Sequence, residues 1–185
     1  MPEKKTSVKQ ITQKRLTNIA LHYLERYESS SENLRRVLRR RVVRAEMKGG
    51  TVPEEVANWI ETIVCEMRRL GYVNDERFAL SVAEKYRKAG KSRNYIRQKL
   101  MQAGINADLQ NQALSENGRT PADAELEAAL LLVKKKKIGS FRAEKDRALF
   151  YKKDLAVLAR AGFSYQTAVK ALGESTQEEN EYVWD

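Results

Sequence analysis

The fold of this chain is indicated by a stretch that occurs twice, Leu100-Met101-Gln102-Ala103-Gly104-Ile105 and Leu158-Ala159-Arg160-Ala161-Gly162-Phe163. Both copies read Leu-x-x-Ala-Gly-apolar, a pattern typical of a helix that ends at a glycine before a further apolar residue. The agreement extends downstream without a gap, because Ala113-Leu114 follows the first copy at the interval at which Ala171-Leu172 follows the second. The sequence therefore predicts a repeated helical unit.

A match upstream of the first copy adds a further unit. The same spacing is shared by Ser92, Ile96, Arg97 and Leu100 and by Ser30, Leu34, Arg35 and Leu38. In the earliest unit, Val42-Val43 stand where the glycine and its apolar neighbour would be. Three helix-helix-helix units, offset by 62 and then 58 residues, predict an all-α protein of about nine helices. Units that lean on their neighbours would form an elongated, curved, right-handed or solenoid-like body.

Apolar spacing and capping residues locate the helices within these units. Apolar residues recur every three or four positions, with only three prolines and nine glycines to interrupt them, which favours helices and no strands. The spacing from Ser29 to Glu32 predicts a capping box, while Asn74 and Ser92 predict the starts of later helices. Six side chains near apolar stripes are expected to be buried or packed: Tyr23, Tyr27, Phe78, Tyr86, Phe163 and Cys65. Tyr72 is expected to pack at the joint between units one and two.

These signals divide the chain into six segments. We expect a basic N-terminal tail at 1–14, repeat unit 1 at 15–70, repeat unit 2 at 71–114, a linker at 115–122, repeat unit 3 at 123–173, and an acidic C-terminal tail at 174–185. The linker is expected because its residues are polar and include glycine and proline.

Charge is distributed unevenly along the chain. The 35 basic and 25 acidic residues give a net charge of +10. Residues 1–48 hold 13 basic and 5 acidic side chains and residues 119–173 hold 12 and 6, whereas residues 49–118 are nearly neutral and residues 174–185 hold 5 acids and no base. An excess of cations in the first and third units indicates an anionic partner, although a merely soluble basic protein would share this composition.

Several classes of protein find no support in the sequence. With one cysteine and one histidine, a disulfide within the chain and most zinc or triad chemistry are excluded. Phosphate-loop, Cys-x-x-Cys and His-Glu-x-x-His motifs do not occur, so we expect no enzyme, catalytic residue, metal or cofactor. No apolar run reaches about 18 residues and no secretory signal is evident, so we expect a cytoplasmic monomer that does not bind membranes.

The order and spacing of these motifs resemble the RecX family of recombinase regulators over roughly residues 15–173. The resemblance is carried by the tandem three-helix units, by the Ser-x-x-x-Leu-Arg-x-x-Leu pattern and by three segments: Gly71-Tyr72-Val73-Asn74-Asp75-Glu76-Arg77-Phe78-Ala79, the run from Gly90-Lys91-Ser92 to Gly104-Ile105, and Arg160-Ala161-Gly162-Phe163-Ser164-Tyr165. The chain departs from the family in an insertion at 41–51, in the missing glycine of unit 1 and in the acidic C-terminal extension.

The resemblance implies a non-enzymatic modulator that lies in the groove of the RecA filament on single-stranded DNA and spans adjacent subunits. Such proteins inhibit filament growth, ATP hydrolysis, strand exchange and co-protease activity, and so modulate homologous recombination, DNA repair and the SOS response. A stand-alone helical protein that binds single- or double-stranded DNA, without a recombinase partner, is the alternative, and a helical adaptor for another protein is a third possibility.

Basic side chains are the candidates for contact with RecA or DNA. They are Arg35, Arg36, Arg39, Arg40, Arg93, Arg97, Lys99, Lys134, Lys135, Lys136, Lys137, Lys152 and Lys153. The four arginines of the second helix fall on two adjacent lines opposite an apolar stripe, which concentrates positive charge. Solvation of the arginines, and the helix dipole for the Lys134–Lys137 run, are the structural alternatives. The acidic tail, with Tyr182 and Trp184, is expected either to cover a basic face or to be a solubilising end.

Overall fold

The computed structural model describes residues 10–115 and 120–173. Within these ranges the regular structure consists of nine α-helices and one 3₁₀ helix, Gly139–Phe141. The α-helices are α1 (Gln13–Leu24), α2 (Ser31–Glu46), α3 (Val56–Arg69), α4 (Asp75–Lys88), α5 (Arg93–Gln102), α6 (Ala107–Ala113), α7 (Pro121–Lys136), α8 (Glu144–Arg160) and α9 (Tyr165–Leu172). The predicted all-α class and its tandem groups of three helices are confirmed.

The described residues form two compact units. The first contains the described chain up to Ala79 together with Met101–Leu109, and the second contains Leu80–Leu100 and the described chain from Gln110 onward. In the first unit, α1, α2 and α3 pack on one another. Their facing sides bury large apolar side chains completely, among them Leu16, Leu34, Leu38, Ile63 and Met67. The three- and four-residue spacing of these positions produces one apolar stripe per helix.

The second unit has a core of its own, formed mainly by α7, α8 and α9. Leu158 and Val133 are fully buried there, as is a carboxylate, Asp154, which is 2% exposed. Both oxygens of Asp154 accept hydrogen bonds from the Arg142 guanidinium at 2.7 Å, and one also accepts the Gly139 N–H at 2.9 Å. Those hydrogen bonds from Arg142 hold the pKa of Asp154 below its usual range despite the opposing effect of burial. The buried charge is therefore paired and fully hydrogen-bonded, as a buried carboxylate must be.

The N-terminus of α2 contacts the turn after α5. Ser30 caps α2 by accepting a hydrogen bond from the Asn33 N–H at 3.1 Å, and its hydroxyl donates to the Ala103 carbonyl. Gly104 has φ of 73°, and a Cβ at this position would overlap the Glu32 side chain. The glycine is therefore required both by its backbone conformation and by the close approach of α2.

An equivalent joint occurs in the second compact unit. Ser92 caps α5 by accepting from the Tyr95 N–H at 3.0 Å, while its own N–H donates to the Ala161 carbonyl at 3.3 Å. Gly162 has φ of 92°, and a Cβ there would overlap the Ser92 hydroxyl. In both joints, the capping serine of one sequence repeat contacts the Ala-Gly turn of the next repeat.

Some local expectations need correction. Ser29 does not cap α2, because the capping bond is made by Ser30. Tyr27 and Tyr72 are exposed instead of packed, since Tyr27 follows the last residue of α1 and Tyr72 lies in the turn before α4. Cys65 is exposed as well. Being next to a buried residue does not bury a helical side chain, because successive residues point about 100° apart.

Other expectations hold. Asn74 accepts a hydrogen bond from the Arg77 N–H at 2.9 Å and so caps α4, and Ser92 caps α5 as expected. Phe78 and Phe163 are buried. Tyr23 and Tyr86 are half-buried. The aromatic side chains that match the prediction are thus those that lie against a helix-packing surface.

Candidate nucleic-acid interface

The four arginines of α2 that sequence analysis selected fall on two sides of that helix. Arg35 and Arg39 lie beside acidic residues, whereas Arg36 and Arg40 line a groove that no acid lines in the part of the chain the structure describes. Arg39 lies at the boundary, because it also lines this groove. The positive face predicted for this helix is therefore divided into a neutralised side and an open side.

On the neutralised side, Arg35 is committed to contacts within the protein. Its Nε donates to both carboxylate oxygens of Glu61, in α3, at 3.0 and 2.8 Å, and Nη1 lies 3.5 Å from Glu32. Burial disfavours the charged guanidinium, but the hydrogen bonds and negative charge of Glu61 outweigh it, so the pKa of Arg35 is raised. Arg39 lies 3.8 Å from Glu61 and 3.9 Å from Glu32. These two arginines offer little uncompensated charge to a partner.

The open side consists of two adjoining grooves between α1 and α2, of about 410 and 430 Å³, which share Tyr23 and Val37 in their walls. Among the described residues, their lining includes six arginines and no carboxylate. We refer to these grooves together as the arginine groove, whose cations are Arg15, Arg26, Arg36, Arg39, Arg40 and Arg41. A concave surface lined by one sign of charge concentrates the opposite charge, so the arginine groove suits a polyanion.

The cations of this groove differ in how far they are already engaged. Arg36 donates to the Asn33 side chain at 2.6 Å and to the Gln102 carbonyl, which helps to join α2 to the end of α5. Arg26, Arg40 and Arg41 are exposed and make no ion pair with any described residue. These last three are the side chains best placed to meet an external anion.

A pair of tyrosines whose rings contact each other at a tilt forms part of the same surface. The rings of Tyr23 and Tyr27 lie with centroids 5.3 Å apart and planes inclined by 34°. Tyr23 is half-buried and its hydroxyl lies 3.5 Å from the Ser29 hydroxyl, whereas Tyr27 is 58% exposed. An aromatic ring is thus presented beside uncompensated cations.

The sequence-predicted cations of the second repeat are partly used within the protein. Arg93 donates to the Leu114 carbonyl at 2.9 Å, at the end of α6, and its N–H donates to Glu125. Arg97 lies 3.5 Å from the Asn111 side chain, and the Lys99 ammonium lies 5.4 Å from the centre of the Tyr95 ring. Arg93 is therefore engaged in hydrogen bonds within the protein, while Arg97 and Lys99 are partly exposed.

The lysines of the third repeat remain exposed. Lys134, Lys135 and Lys136 occupy the last turn of α7, where cations are favoured by the helix dipole, and Lys137 caps that helix with φ of 53°. On α8, Lys152 and Lys153 are also exposed, and the Lys153 ammonium lies 5.2 Å from the Phe150 ring. These lysines belong to the second compact unit, and none of them is among the residues that line the arginine groove.

Sequence analysis missed three cations of the groove, Arg15, Arg26 and Arg41. Two of them, Arg15 and Arg26, could have been found from a row of polar residues that begins on α1. Its members follow one another at intervals of three and four: Arg15, Asn18, His22 and Arg26. His22 is an exposed histidine 3.6 Å from Glu25. Arg41 carried no such signal.

Other kinds of site find no support in the described residues. No group of three or more His, Cys, Asp or Glu side chains is arranged there to hold a metal ion. None of the described helices combines the length and apolar character needed to cross a bilayer. The acidic tail at 174–185, for which a covering role was considered, lies outside the described residues.

Comparison with known proteins gives a consistent result. Residues 74–114 match the sequence model of a family described as "RecX, second three-helix domain". Over 159 residues the chain is 40% identical to "Regulatory protein RecX" of Myxococcus xanthus (strain DK1622), an alignment that covers 85% of this chain and 83% of that protein.

Solved structures agree with this at the level of the fold. A crystal structure of RecX from Lactobacillus salivarius superposes with a TM-score of 0.59 and 20% identity, covering 86% of this chain and 94% of that one. A second structure, described as a crystal structure of regulatory protein RecX, gives a TM-score of 0.60 at 22% identity and covers 88% of this chain and 72% of its own.

Proposed function

This chain belongs to the RecX family, and from that premise we propose that it is a negative regulator of the RecA recombinase that binds the RecA filament on single-stranded DNA. Binding would inhibit ATP hydrolysis, strand exchange and co-protease activity, and so modulate homologous recombination, DNA repair and the SOS response. The observation that carries the proposal is the 40% identity, over most of both chains, with a regulatory protein RecX. The protein would act by binding and not by catalysis.

The arginine groove supports binding to such a filament on physical grounds. A filament on single-stranded DNA carries a continuous row of phosphates, and cations that bind phosphates release counterions from the strand. Arg26, Arg40 and Arg41 supply positive charge that no described carboxylate offsets. We assign the primary anionic contact to these side chains, with Arg36, Arg97, Lys99 and the lysines of α7 and α8 as secondary contacts. Arg35, Arg39 and Arg93 would support the surface through their bonds within the protein.

The test compares binding to RecA filaments assembled on single-stranded DNA with binding to the same DNA lacking RecA. A regulator of RecA should bind the filament at least tenfold more tightly than the bare strand at matched salt. Fluorescence anisotropy of labelled protein measures both affinities directly. Equal affinities for filament and bare strand would contradict a recombinase partner.

A stand-alone DNA-binding protein is the second candidate function. It is favoured by one observation, the six arginines and absent carboxylates of the groove lining, which suit a nucleic acid with or without RecA. In that case bare DNA would bind as tightly as the filament. If neither DNA nor RecA bound, a helical adaptor for another protein would be favoured.

The electrostatic part of the proposal has its own prediction. The variant Arg40→Gln/Arg41→Gln removes two exposed cations of the groove, and Arg68→Gln/Arg69→Gln removes two exposed cations at the end of α3. If each groove arginine contacts a phosphate of a single strand, the first variant should reduce the slope of log affinity against log salt by about 1.4. The second variant should leave that slope nearly unchanged, and equal slopes for all three proteins would contradict the assignment.

A further inference from the structure

Tyr27 has no evident role in the core of the first unit, whereas Tyr23 packs against that core. Tyr27 lies beyond the end of α1 and exposes 58% of its surface. Its ring contacts Tyr23 in a tilted arrangement, and Tyr23 is half-buried with its hydroxyl close to the buried Ser29 hydroxyl. An exposed aromatic ring with a half-buried aromatic neighbour offers a surface on which a planar ligand can stack.

The surroundings of this ring select the charge of the ligand. Tyr27 lines the same groove as Arg15, Arg26 and Arg41, and the adjoining groove adds Arg40. Two carboxylates lie nearby in sequence, Glu25, which is 3.6 Å from the His22 imidazole, and Glu28, which pairs with Arg77 at 3.6 Å, but neither of them lines the groove. The groove therefore combines a planar apolar surface with several cations that these acids do not neutralise.

We infer that the arginine groove binds single-stranded nucleic acid directly, with one unpaired base stacked on Tyr27 and the adjacent phosphates bound by Arg26 and Arg41. A base offers a flat π-face of any sequence, and its flanking phosphates supply the negative charge, which is the combination that single-strand sites recognise. In a duplex the bases are stacked on one another, so a single strand is the form that can occupy Tyr27. An acidic peptide would satisfy the cations and leave the ring without a specific partner.

This inference rests on the proposed function, because a regulator that meets RecA on single-stranded DNA encounters such a strand. It adds a direct contact with a base to the proposed contact with the filament. The experiment therefore omits RecA, so that failure of the stacking site and failure of RecA regulation give different results.

The probe is a fluorescently labelled oligothymidine, compared with an oligonucleotide of equal length whose central nucleotides are abasic. Both probes carry the same phosphates, so a difference in affinity reports contact with bases. We expect the full-length protein to bind oligothymidine several-fold more tightly than the abasic probe at moderate salt. Equal affinity for the two probes would overturn the stacking assignment, and failure of the folded protein to bind oligothymidine would overturn the site as a whole.

Variants at exposed tyrosines locate the contact. Tyr27→Ala should weaken binding to oligothymidine by about 5- to 100-fold and abolish the preference over the abasic probe. Tyr27→Phe keeps the ring and should bind within about twofold of the unmodified protein. The matched control is Tyr165→Ala, which removes another exposed tyrosine at the start of α9 and should have no effect. An equal response to Tyr27→Ala and Tyr165→Ala would overturn the proposal.

A second pair of variants tests the phosphate contacts independently of the ring. Arg26→Gln/Arg41→Gln should weaken binding to oligothymidine and to the abasic probe by the same factor, because it removes charge and leaves Tyr27 in place. A loss confined to oligothymidine would contradict the roles given to the two arginines. Inhibition of RecA that survives in Tyr27→Ala, with loss of oligothymidine binding, would leave the proposed function intact and confine the tyrosine to direct strand binding.

Discussion

Asp154 is a buried carboxylate whose charge is matched by one guanidinium and one backbone N–H. In the variant Asp154→Asn the side chain keeps its shape but loses its charge, and one of the two oxygens that accept from Arg142 becomes an NH2 group, which is itself a donor. We expect the free energy of unfolding to fall by about 3 kcal/mol. Urea unfolding followed by circular dichroism measures this change.

The control for that measurement is Glu144→Gln, which alters an exposed carboxylate in the first turn of the same helix. Because this carboxylate stabilises α8 only through its interaction with the helix dipole, removing its charge should lower the free energy of unfolding by less than about 1 kcal/mol. Equal costs for the two variants would show that the ion pair of Asp154 does not stabilise α8 as proposed.

The same carboxylate gives a pH dependence with a definite sign. Arg142 lowers the pKa of Asp154 in the folded protein relative to the unfolded chain, where an aspartate titrates near 3.9 as an approximate reference. The stability contributed by Asp154 is therefore fully present above the unfolded pKa and is lost as the pH falls toward the folded pKa. The difference in unfolding free energy between the unmodified protein and Asp154→Asn should shrink from pH 6 to pH 3, roughly the window set by that reference. A difference that grew on acidification would contradict the assignment.

Residue-level roles were the hardest to obtain from the sequence. Tyr27 continues the apolar spacing of α1, but the helix ends at Leu24, so the spacing no longer determines its direction. The pairing of Arg35 depends on Glu61, which lies 26 residues away on another helix. The acid at position 154 has the place that Ile96 has in the preceding repeat, and an acid at a core position could have indicated a buried partner such as Arg142.

At the level of helices and turns, the repeated serine and glycine have a common explanation. Each capping serine contacts the Ala-Gly turn of the following sequence repeat. In the first repeat, Val42 and Val43 stand at the corresponding positions, and they lie within α2, which continues to Glu46. In the third repeat, Phe150 occupies the position that corresponds to Ser92. A glycine is not needed at position 42, because α2 continues through it and the backbone does not take a positive φ there.

The close approach of α2 to the turn after α5 predicts that substitution by alanine lowers the free energy of unfolding by different amounts at Gly104 and Gly71. The two glycines share a similar backbone conformation. Gly104 and Gly71 have φ of 73° and 78°, but a Cβ at Gly104 would overlap Glu32, whereas one at Gly71 would have no neighbour within 4 Å. Gly71→Ala should cost about 1 kcal/mol for the left-handed backbone alone. Gly104→Ala should cost about 2 to 4 kcal/mol, because the overlap adds to that strain. Urea unfolding of both variants checks this, and equal losses would show that α2 does not approach the turn closely.

Element boundaries were predicted where the signals are local and missed where they are not. Asn74, Ser92 and the terminal glycines act on the helix beside them, so their spacing sufficed to locate α4 and α5. Ser29 and Ser30 are both serines, and the choice between them depends on Ala103, which lies 73 residues from Ser30. The contact between Ser30 and Ala103, which joins two repeats, therefore could not be predicted from a local sequence pattern.

For the whole molecule, the sequence sufficed to predict the all-α class, the tandem three-helix units and the family resemblance, because a repeat appears in the order of residues. It predicted cations in the first and third repeats, but not which of them are neutralised within the protein. The net charge of +10 is distributed over several basic patches, and only some of their cations form ion pairs within the protein. The arginine groove, with Arg26, Arg40 and Arg41 free of described acids, carries the part that we assign to an anionic partner.

The central claim is that this RecX-family protein acts on RecA and does not merely compete for DNA. The most direct measurement is the rate of ATP hydrolysis by RecA on single-stranded DNA, with this protein present at far fewer molecules than RecA. Arg40→Gln/Arg41→Gln, at the same concentration, serves as the variant with a weakened groove. We predict that hydrolysis falls at these substoichiometric amounts and that the variant inhibits less. A rate that stays unchanged until the protein saturates the DNA would contradict the account.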